Sequence, residues 1–431
     1  MTALADRGSG LAWLDGLTGY ERTGRLTRPS TAATRALVRD LGDPQRNYRV
    51  LHVTGTNGKG STAFAASALL RHAGLRVGTY SSPHLVSVGE RVLVDGRPSD
   101  RLDEALRHVA VAARRCGVRP SWFEALTAAA LWCFAAERVE VAVVEVGMLG
   151  RWDATNVVDG AVAVVTNVDL DHTDVAGPTR AHIAAEKAGI VRPGATLVLG
   201  ERDPALRAIF EARRPGTTLV AGQDLVVRHR TTTDSTVDLC TPRSHHTGLE
   251  IAAAGRHGCE NALLALGATE ALLAAPLPRA VVRSALAEPG PPGRAEFLGG
   301  DPVLVLDVAH NPAGAAALRV ALAEHGPPGP RTVVCALLGE RSPADFLAAL
   351  GVGEGDTVVA ATLFGTRALP PEAVADAARE LGARALFGGP PLDALALAER
   401  ETGPGGMVLC TGSFQLVGPV REAGTGPGAR R

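Results

Sequence analysis

Apolar positions along this chain fall into two rhythms. Short runs with almost no polar interruption recur at 48–53, 76–80, 139–146, 161–168 and 195–200, and again at 303–311, 331–338, 356–363 and 407–414. Between the earlier runs, apolar residues three and four apart fill 61–74, 101–116, 122–138 and 179–190. The first pattern predicts strands buried on both faces and the second predicts helices. Their alternation predicts parallel sheet covered by helices on both sides. Residues 1–47 predict one helix around Trp13, Leu14 and Leu17 and another over 31–42 that stops at Gly42. Residues 201–255 break the rhythm. The polar, Thr-rich TTTDSTVDLCTPRS predicts short antiparallel strands or an irregular insert, followed by a helix over 259–274. The tail from Glu422 is rich in Gly and Arg and is predicted to fray.

The stretch Glu288-Pro-Gly-Pro-Pro-Gly293 can hold neither a helix nor a central strand. The expected fold is therefore α/β in two parts. Residues 1–290 form a P-loop-type parallel-sheet domain with N-terminal helices. A Pro/Gly linker at 289–293 leads to a smaller, Rossmann-like α/β domain over 294–431. A length of 431 residues suits two or three domains at about 150 residues each.

Composition narrows the function classes. Charged residues make up 21% and hydrophobic residues 46%, ordinary values for a soluble protein. The net charge is −1, so no basic excess exists to neutralise nucleic acid or an anionic membrane. No apolar run approaches the length of a membrane span, and the N-terminal residues show no secretory signal pattern. Six scattered cysteines without a C-x-x-C pair predict a reduced, cytoplasmic setting. The basic residues are the informative ones. Of 44, only Lys59 and Lys187 are lysine, and the rest are arginine. A site that needs only positive charge tolerates arginine, whereas a compact point charge or a reactive amine requires lysine.

Both lysines fall inside motifs. Val53-Thr-Gly-Thr-Asn-Gly-Lys-Gly-Ser-Thr62 lies between a predicted strand and a predicted helix. Its glycines let backbone amides wrap a phosphate at a helix N-terminus, with Lys59 reaching the β/γ-phosphates. Ser61 or Thr62 is expected to cap the helix or to touch Mg²⁺. Glu145, in Val144-Glu-Val-Gly-Met-Leu-Gly-Arg-Trp-Asp-Ala-Thr-Asn156, ends a strand at the sheet edge where ligands bind. It reads as a Mg²⁺ ligand or as part of an ordinary strand-end turn. His172, in Thr166-Asn-Val-Asp-Leu-Asp-His-Thr-Asp174, reads as a metal ligand or a loop cap. Lys187 stands beside Glu186 on a predicted helix. Arg294 follows the linker, and Asp307-Val-Ala-His-Asn-Pro312 and Thr411-Gly-Ser-Phe414 end strands of the second domain.

The ordered set GTNGKGS, YSSPHL, ERV, FEALTAAAL, EVGMLGRWDATN, LDHTD, EKAGI, DVAHNP and TGSF resembles the folylpolyglutamate synthase/dihydrofolate synthase family of the Mur-ligase superfamily, from about residue 50 to 415. The resemblance implies an ATP-dependent amide ligase. It would phosphorylate a folate or dihydropteroate carboxylate and then add L-glutamate through the acyl phosphate. It implies that Thr56, Asn57, Gly58, Lys59, Gly60 and Ser61 hold ATP, with Asn261, Arg294 and Asp307 at other nucleotide positions. Ser82, Glu145 and His172 would hold Mg²⁺. Lys187 would carry a CO₂-derived carbamate at a second metal. Lys59, Lys187, His172 and Glu145 would be the catalytic group. Trp122, Phe123 and Asp153 would lie near the pterin-bearing substrate, and His310 and Ser413 on the second-domain side. A cytoplasmic monomer is expected.

Two positions depart from the family pattern. Leu149 stands where a second glycine is usual after the strand-end Glu, and Gly258 where a Gln precedes the nucleotide-contacting helix. The acceptor, dihydropteroate or a glutamylated folate, stays open. Two alternatives are a Mur-type ligase acting on another carboxylate and a P-loop nucleotide switch without ligase activity. The peptidoglycan-type Mur ligases carry a sizeable domain ahead of the loop, and Gly55 leaves little chain for one.

Overall fold

The computed structural model describes residues 9–23, 29–171, 173–229, 236–253, 255–339 and 341–425. These form two compact units. One holds the described residues up to Pro83, with Val88–Ile251 and Glu260–Glu288; the other holds His84–Ser87, Ala252–Cys259 and those from Pro289 onward. Two short segments ahead of the Pro/Gly stretch thus group with the second unit.

The first unit is built on eight strands among the described residues: β1 Arg49–Thr54, β2 Val77–Tyr80, β3 Val92–Val94, β4 Arg97–Pro98, β5 Val141–Glu145, β6 Val162–Val165, β7 Thr196–Leu199 and β8 Thr217–Val220. Their order is β4-β3-β2-β5-β1-β6-β7-β8. The six from β2 to β8 in that order are parallel, and β3 and β4 form an antiparallel edge. Val, Leu and Ala fill the central strands, and every residue of β5 and β6 is buried. This follows from helices lying on both faces, which leave no side of the strand wet. Helix Trp122–Ala136 is nearly all apolar and starts with a Ser121–Glu124 capping box. It packs into the larger core with Tyr80, Ala142 and Val144. The connection after β1 runs to β2 on one side, and those after β5 and β6 run to β6 and β7 on the other, so the C-terminal ends of β5, β1 and β6 flank a crevice of the kind that holds ligands.

Residues 201–255 are less irregular than their composition predicts. Helix Pro204–Glu211, capped by Asp203, and β8 continue the parallel rhythm. Antiparallel pairing is confined to β9 Val226–His229, β10 Thr236–Cys240 and β11 His245–Glu250. Leu206 and Phe210 drive the helix inward, and Pro at its first position fixes the entry.

The second unit carries β12 Glu296–Phe297, β13 Val303–Leu306, β14 Arg331–Cys335, β15 Thr357–Ala361, β16 Arg384–Gly389 and β17 Met407–Thr411, in the order β12-β13-β17-β14-β15-β16. All but β12 are parallel. Helices Pro312–His325, Pro343–Leu350, Pro371–Glu380 and Pro391–Thr402 each place proline in the first turn, where a missing N–H costs nothing. Separate apolar clusters fill the two faces of the sheet. No helix of the described residues is long and apolar enough to cross a membrane.

Candidate functional site

The phosphate loop grows out of β1. Thr54 pairs with Val165 and Val53 with Glu145, so the loop leaves the sheet between the ends of β5 and β6. Gly55 has φ +149°, and a Cβ there would lie 1.8 Å from Thr166 Oγ1. Gly58 has φ +81°, and its Cβ would lie 2.4 Å from Asn261 Oδ1. Only glycine suits either position.

The loop is clamped from β6. Thr166 Oγ1 donates to the Asn57 carbonyl at 2.6 Å, and Asn167 Nδ2 donates to the same carbonyl at 3.2 Å. Asn57 N–H donates to Asn167 Oδ1 at 3.0 Å. Thr56 Oγ1 donates to the Asp169 carbonyl at 3.1 Å and accepts the Asp169 N–H at 3.0 Å. Thr56 therefore shapes the loop through its neighbour. Helix Lys59–His72 starts directly behind left-handed Gly58, with no side-chain cap. That corrects the expectation of a hydroxyl cap: Ser61 and Thr62 already lie inside the first turn.

The two lysines converge here. Lys59 Nζ donates to the Thr56 carbonyl at 3.0 Å, and Lys187 Nζ donates to the Gly55 carbonyl at 2.7 Å and the Met148 carbonyl at 3.4 Å. Lys187 ends helix Arg180–Lys187 and is buried. Burial first, then the Lys59 ammonium, bring its amine down to about 7. An arginine in this place would remain charged and could not react as a free amine.

Glu145 is buried at the end of β5. Its Oε2 accepts the Ser82 N–H at 3.0 Å, and both carboxylate oxygens lie 3.6 Å from where a Cβ on Gly60 would stand. His172 lies outside the described residues. Among the described residues, no group of three or more His, Cys, Asp or Glu is arranged to hold a metal. The donor set fits Mg²⁺ all the same. That ion is ordinarily held by one or two carboxylates, with phosphate oxygens and water completing its shell.

Beyond β5, the 147–156 loop presses its backbone on Phe123, whose Cζ would be 2.5 Å from a Cβ on Gly147. Trp122 is nearly buried, and the Arg91 guanidinium lies 4.6 Å from its ring centroid. Leu149 is buried in the apolar cluster with Val165, Ile183 and Leu199, so this departure from glycine fills core space. Asp153 is buried and faces its own loop. Its Oδ1 accepts from Thr155 N–H at 3.0 Å and Thr155 Oγ1 at 2.7 Å, and its Oδ2 accepts from Met148 N–H at 3.1 Å. Thr155 Oγ1 also meets His52 Nε2 at 3.0 Å.

In the second unit, Asp307 follows β13 and accepts the N–H groups of Ala295 at 2.7 Å and Ala309 at 2.6 Å. Burial pushes its carboxyl up, and Arg294 opposes that. The Arg294 guanidinium stands 5.5 Å from the Phe414 ring centroid, and His310 Nδ1 meets the Val308 carbonyl at 2.9 Å. Ser413 is buried, and its hydroxyl accepts the Gln415 N–H at 3.1 Å at the start of helix Phe414–Thr425. Gly258 has no room for a side chain: a Cβ would lie 2.6 Å from the Ala253 carbonyl oxygen.

Sequence reasoning overlooked Thr166, Asn167, Arg91, His52 and Thr155 as site residues. The polar residues directly after the β6 apolar run were the available signal for the first two. His52 had none, because it looks like one polar interruption in a strand. Burial first, then Arg192, hold its imidazole down at about 3. The unfolded chain binds a proton near the usual histidine value and the folded chain does not. His52 therefore contributes stability that is complete above about pH 6.5 and is lost as pH falls toward 3. His52→Gln is expected to flatten that part of the stability curve, as read from urea midpoints between pH 4 and 7.

The Mur ligase middle domain family matches residues 53–269, and the Mur ligase glutamate ligase domain family matches residues 293–414. The chain is 36% identical over 380 residues to the dihydrofolate synthase/folylpolyglutamate synthase of Mycobacterium tuberculosis, covering 82% of this chain and 78% of that one. The fold matches E. coli FolC in complex with DHPP and ADP, with a TM-score of 0.87 and 29% identity, over 98% of each chain. It also matches the Yersinia pestis bifunctional folylpolyglutamate synthase/dihydrofolate synthase complexed with AMPPNP and Mn ion, with a TM-score of 0.85 and 30% identity, over 98% of this chain and 99% of that one.

Proposed function

The chain belongs to the folylpolyglutamate synthase/dihydrofolate synthase family of Mur ligases, and on that premise we propose that it is an ATP-dependent ligase joining L-glutamate to the carboxylate of a folate-type acceptor. The observation that carries this reading is the convergence of the only two lysines on consecutive carbonyls of the phosphate loop, those of Gly55 and Thr56.

The chemistry needs two anions to meet. An acceptor carboxylate oxygen attacks the γ-phosphorus of ATP, and the bond to the ADP oxygen breaks. The glutamate amine then attacks the acyl carbon, phosphate leaves, and the amine gives up a proton. Asn57, Gly58, Gly60 and Ser61 line the loop that receives the phosphates, and Lys59 offsets the charge that spreads during transfer. Ser82, Glu145, His172 and a modified Lys187 are the residues that would hold Mg²⁺, in up to two sites, which supplies further charge neutralisation at the phosphates. The Lys187 ammonium first gives up one proton; the neutral amine then forms a C–N bond to CO₂ and releases a second proton to water, so that a buried cation becomes a carbamate anion. Its low amine value and its burial support this step. Asn261, Arg294 and Asp307 are assigned to the nucleotide, and Trp122, Phe123, Asp153, His310 and Ser413 to the substrates.

The protein is read as a cytoplasmic monomer with small-molecule substrates and no nucleic acid or membrane partner. Six free cysteines and a net charge of −1 support that setting. The test is a panel of ATP, Mg²⁺ and L-glutamate with dihydropteroate, tetrahydrofolate or unrelated carboxylic acids, read by mass spectrometry. A glutamyl product with a pteroate or folate acceptor, and phosphate release only when acceptor and glutamate are both present, is expected. Nucleotide hydrolysis indifferent to both, or a product with an unrelated acid alone, would overturn the reading.

A further inference from the structure

A line of hydrogen bonds runs from the middle of β1 to the Lys187 amine, buried from His52 to Asp153 and half-buried at Met148. The Asp153 carboxylate can only accept, so the Thr155 hydroxyl proton points to Oδ1 at 2.7 Å. That leaves Thr155 Oγ1 as the acceptor toward His52, and the imidazole must donate from Nε2 across 3.0 Å. His52 is fully buried, and its Nδ1 has no hydrogen-bond partner, which matches a neutral ring protonated at Nε2 alone. Asp153 Oδ2 in turn holds the Met148 N–H at 3.1 Å. The carbonyl of Met148 faces Lys187 Nζ at 3.4 Å. Asp153 thus makes three acceptor contacts inside its own loop.

We propose that His52 and Thr155 are positioning residues, forming with Asp153 a buried relay that fixes the Met148 peptide and hence the Lys187 amine beside the phosphate loop. This rests on the ligase reading in one respect, that Lys187 acts in turnover. None of the relay residues touches the reacting atoms. Their effect passes through the 147–156 loop, which has other anchors as well: the Arg151 N–H donates to the Glu186 carbonyl at 2.7 Å, Asn156 Nδ2 to the Gly189 carbonyl at 3.3 Å and Thr54 Oγ1 to the Leu149 carbonyl at 3.4 Å. Losing the relay should therefore loosen one end of the loop and leave the fold in place.

Thr155→Val and His52→Leu are each expected to lower kcat about tenfold, the scale of one hydrogen bond to a charged group. KM for ATP should stay within about twofold, since the phosphate loop is held from β6 instead. Thr155→Ser keeps the hydroxyl and His52→Gln offers an N–H near the ε position, and both should recover most of the rate. Because the two side chains act as one unit, the double variant should lose little more than either single one. Two substrate-free readings accompany these. Nitrogen-15 spectra of labelled histidine should show His52, assigned by its absence in His52→Gln, protonated at Nε2 only. Amide exchange at Met148 should quicken in Thr155→Val. An Nδ1-protonated His52, unchanged Met148 exchange, or full kcat in Thr155→Val by a parent protein that ligates would each overturn the relay. A parent protein that forms no glutamyl product would count against the ligase reading alone, with the spectra and exchange still deciding the relay.

Discussion

Lys187→Arg is expected to leave a folded protein that binds ATP and makes no detectable glutamyl product, a loss of at least about a thousandfold on the scale of removing a group that acts in the transition state. The substitution keeps a positive charge in the helix that ends at residue 187, so a purely electrostatic role would survive it in part. It removes the amine, which burial and Lys59 hold at about 7. It also sets a planar fork where Nζ now donates to the Gly55 carbonyl at 2.7 Å. Turnover by mass spectrometry, nucleotide titration calorimetry and circular dichroism together separate the outcomes. Near-normal turnover would remove Lys187 from the chemistry. A carbon-13 carbamate signal in parent protein equilibrated with labelled bicarbonate, absent in Lys187→Arg, would identify the modification itself.

Gly55→Ala is the second large effect. The new Cβ would fall 1.8 Å from Thr166 Oγ1, at a φ of +149° that alanine rarely adopts. Thr166 cannot yield without releasing the Asn57 carbonyl that it holds at 2.6 Å. The strain therefore falls on the phosphate loop, while the core strands beneath keep their pairing. ATP affinity should fall about a hundredfold or more, in line with the loss of several preorganised contacts at a few kcal/mol. The thermal midpoint should move much less than the affinity. Unaltered ATP binding by calorimetry would show that the loop holds its shape without the Thr166 clamp.

Much of the fold was legible because its strands are apolar throughout and its helices are periodic. The β5 and β6 runs stand out for that reason. What escaped notice has a physical cause in each case. β16 lies at a sheet edge, half-exposed, and its sequence RALFGG carries no strong alternation. Helix Pro204–Glu211 and β8 were hidden by a polar neighbourhood that belongs to the separate antiparallel sheet. At the site, Lys59 and Lys187 were readable because arginine had displaced lysine everywhere else. The clamp by Thr166 and Asn167 was not, because its meaning depends on the pairing of β1 with β6, which no local pattern states. Asp153 illustrates the same limit from the other side. The resemblance places it near the substrate, and no local pattern states that its carboxylate also engages Thr155 and Met148.

The scarcity of ε-amines also makes this protein its own reporter. A mild acylating reagent finds, apart from the α-amino group, only Lys59, which is half-buried, and Lys187, which is buried. In most proteins such labelling marks the whole surface. Here a mass increment on the peptide that carries Lys59 would mark the phosphate loop, and its suppression by bound nucleotide would measure occupancy directly, without a radiolabel or a coupled assay.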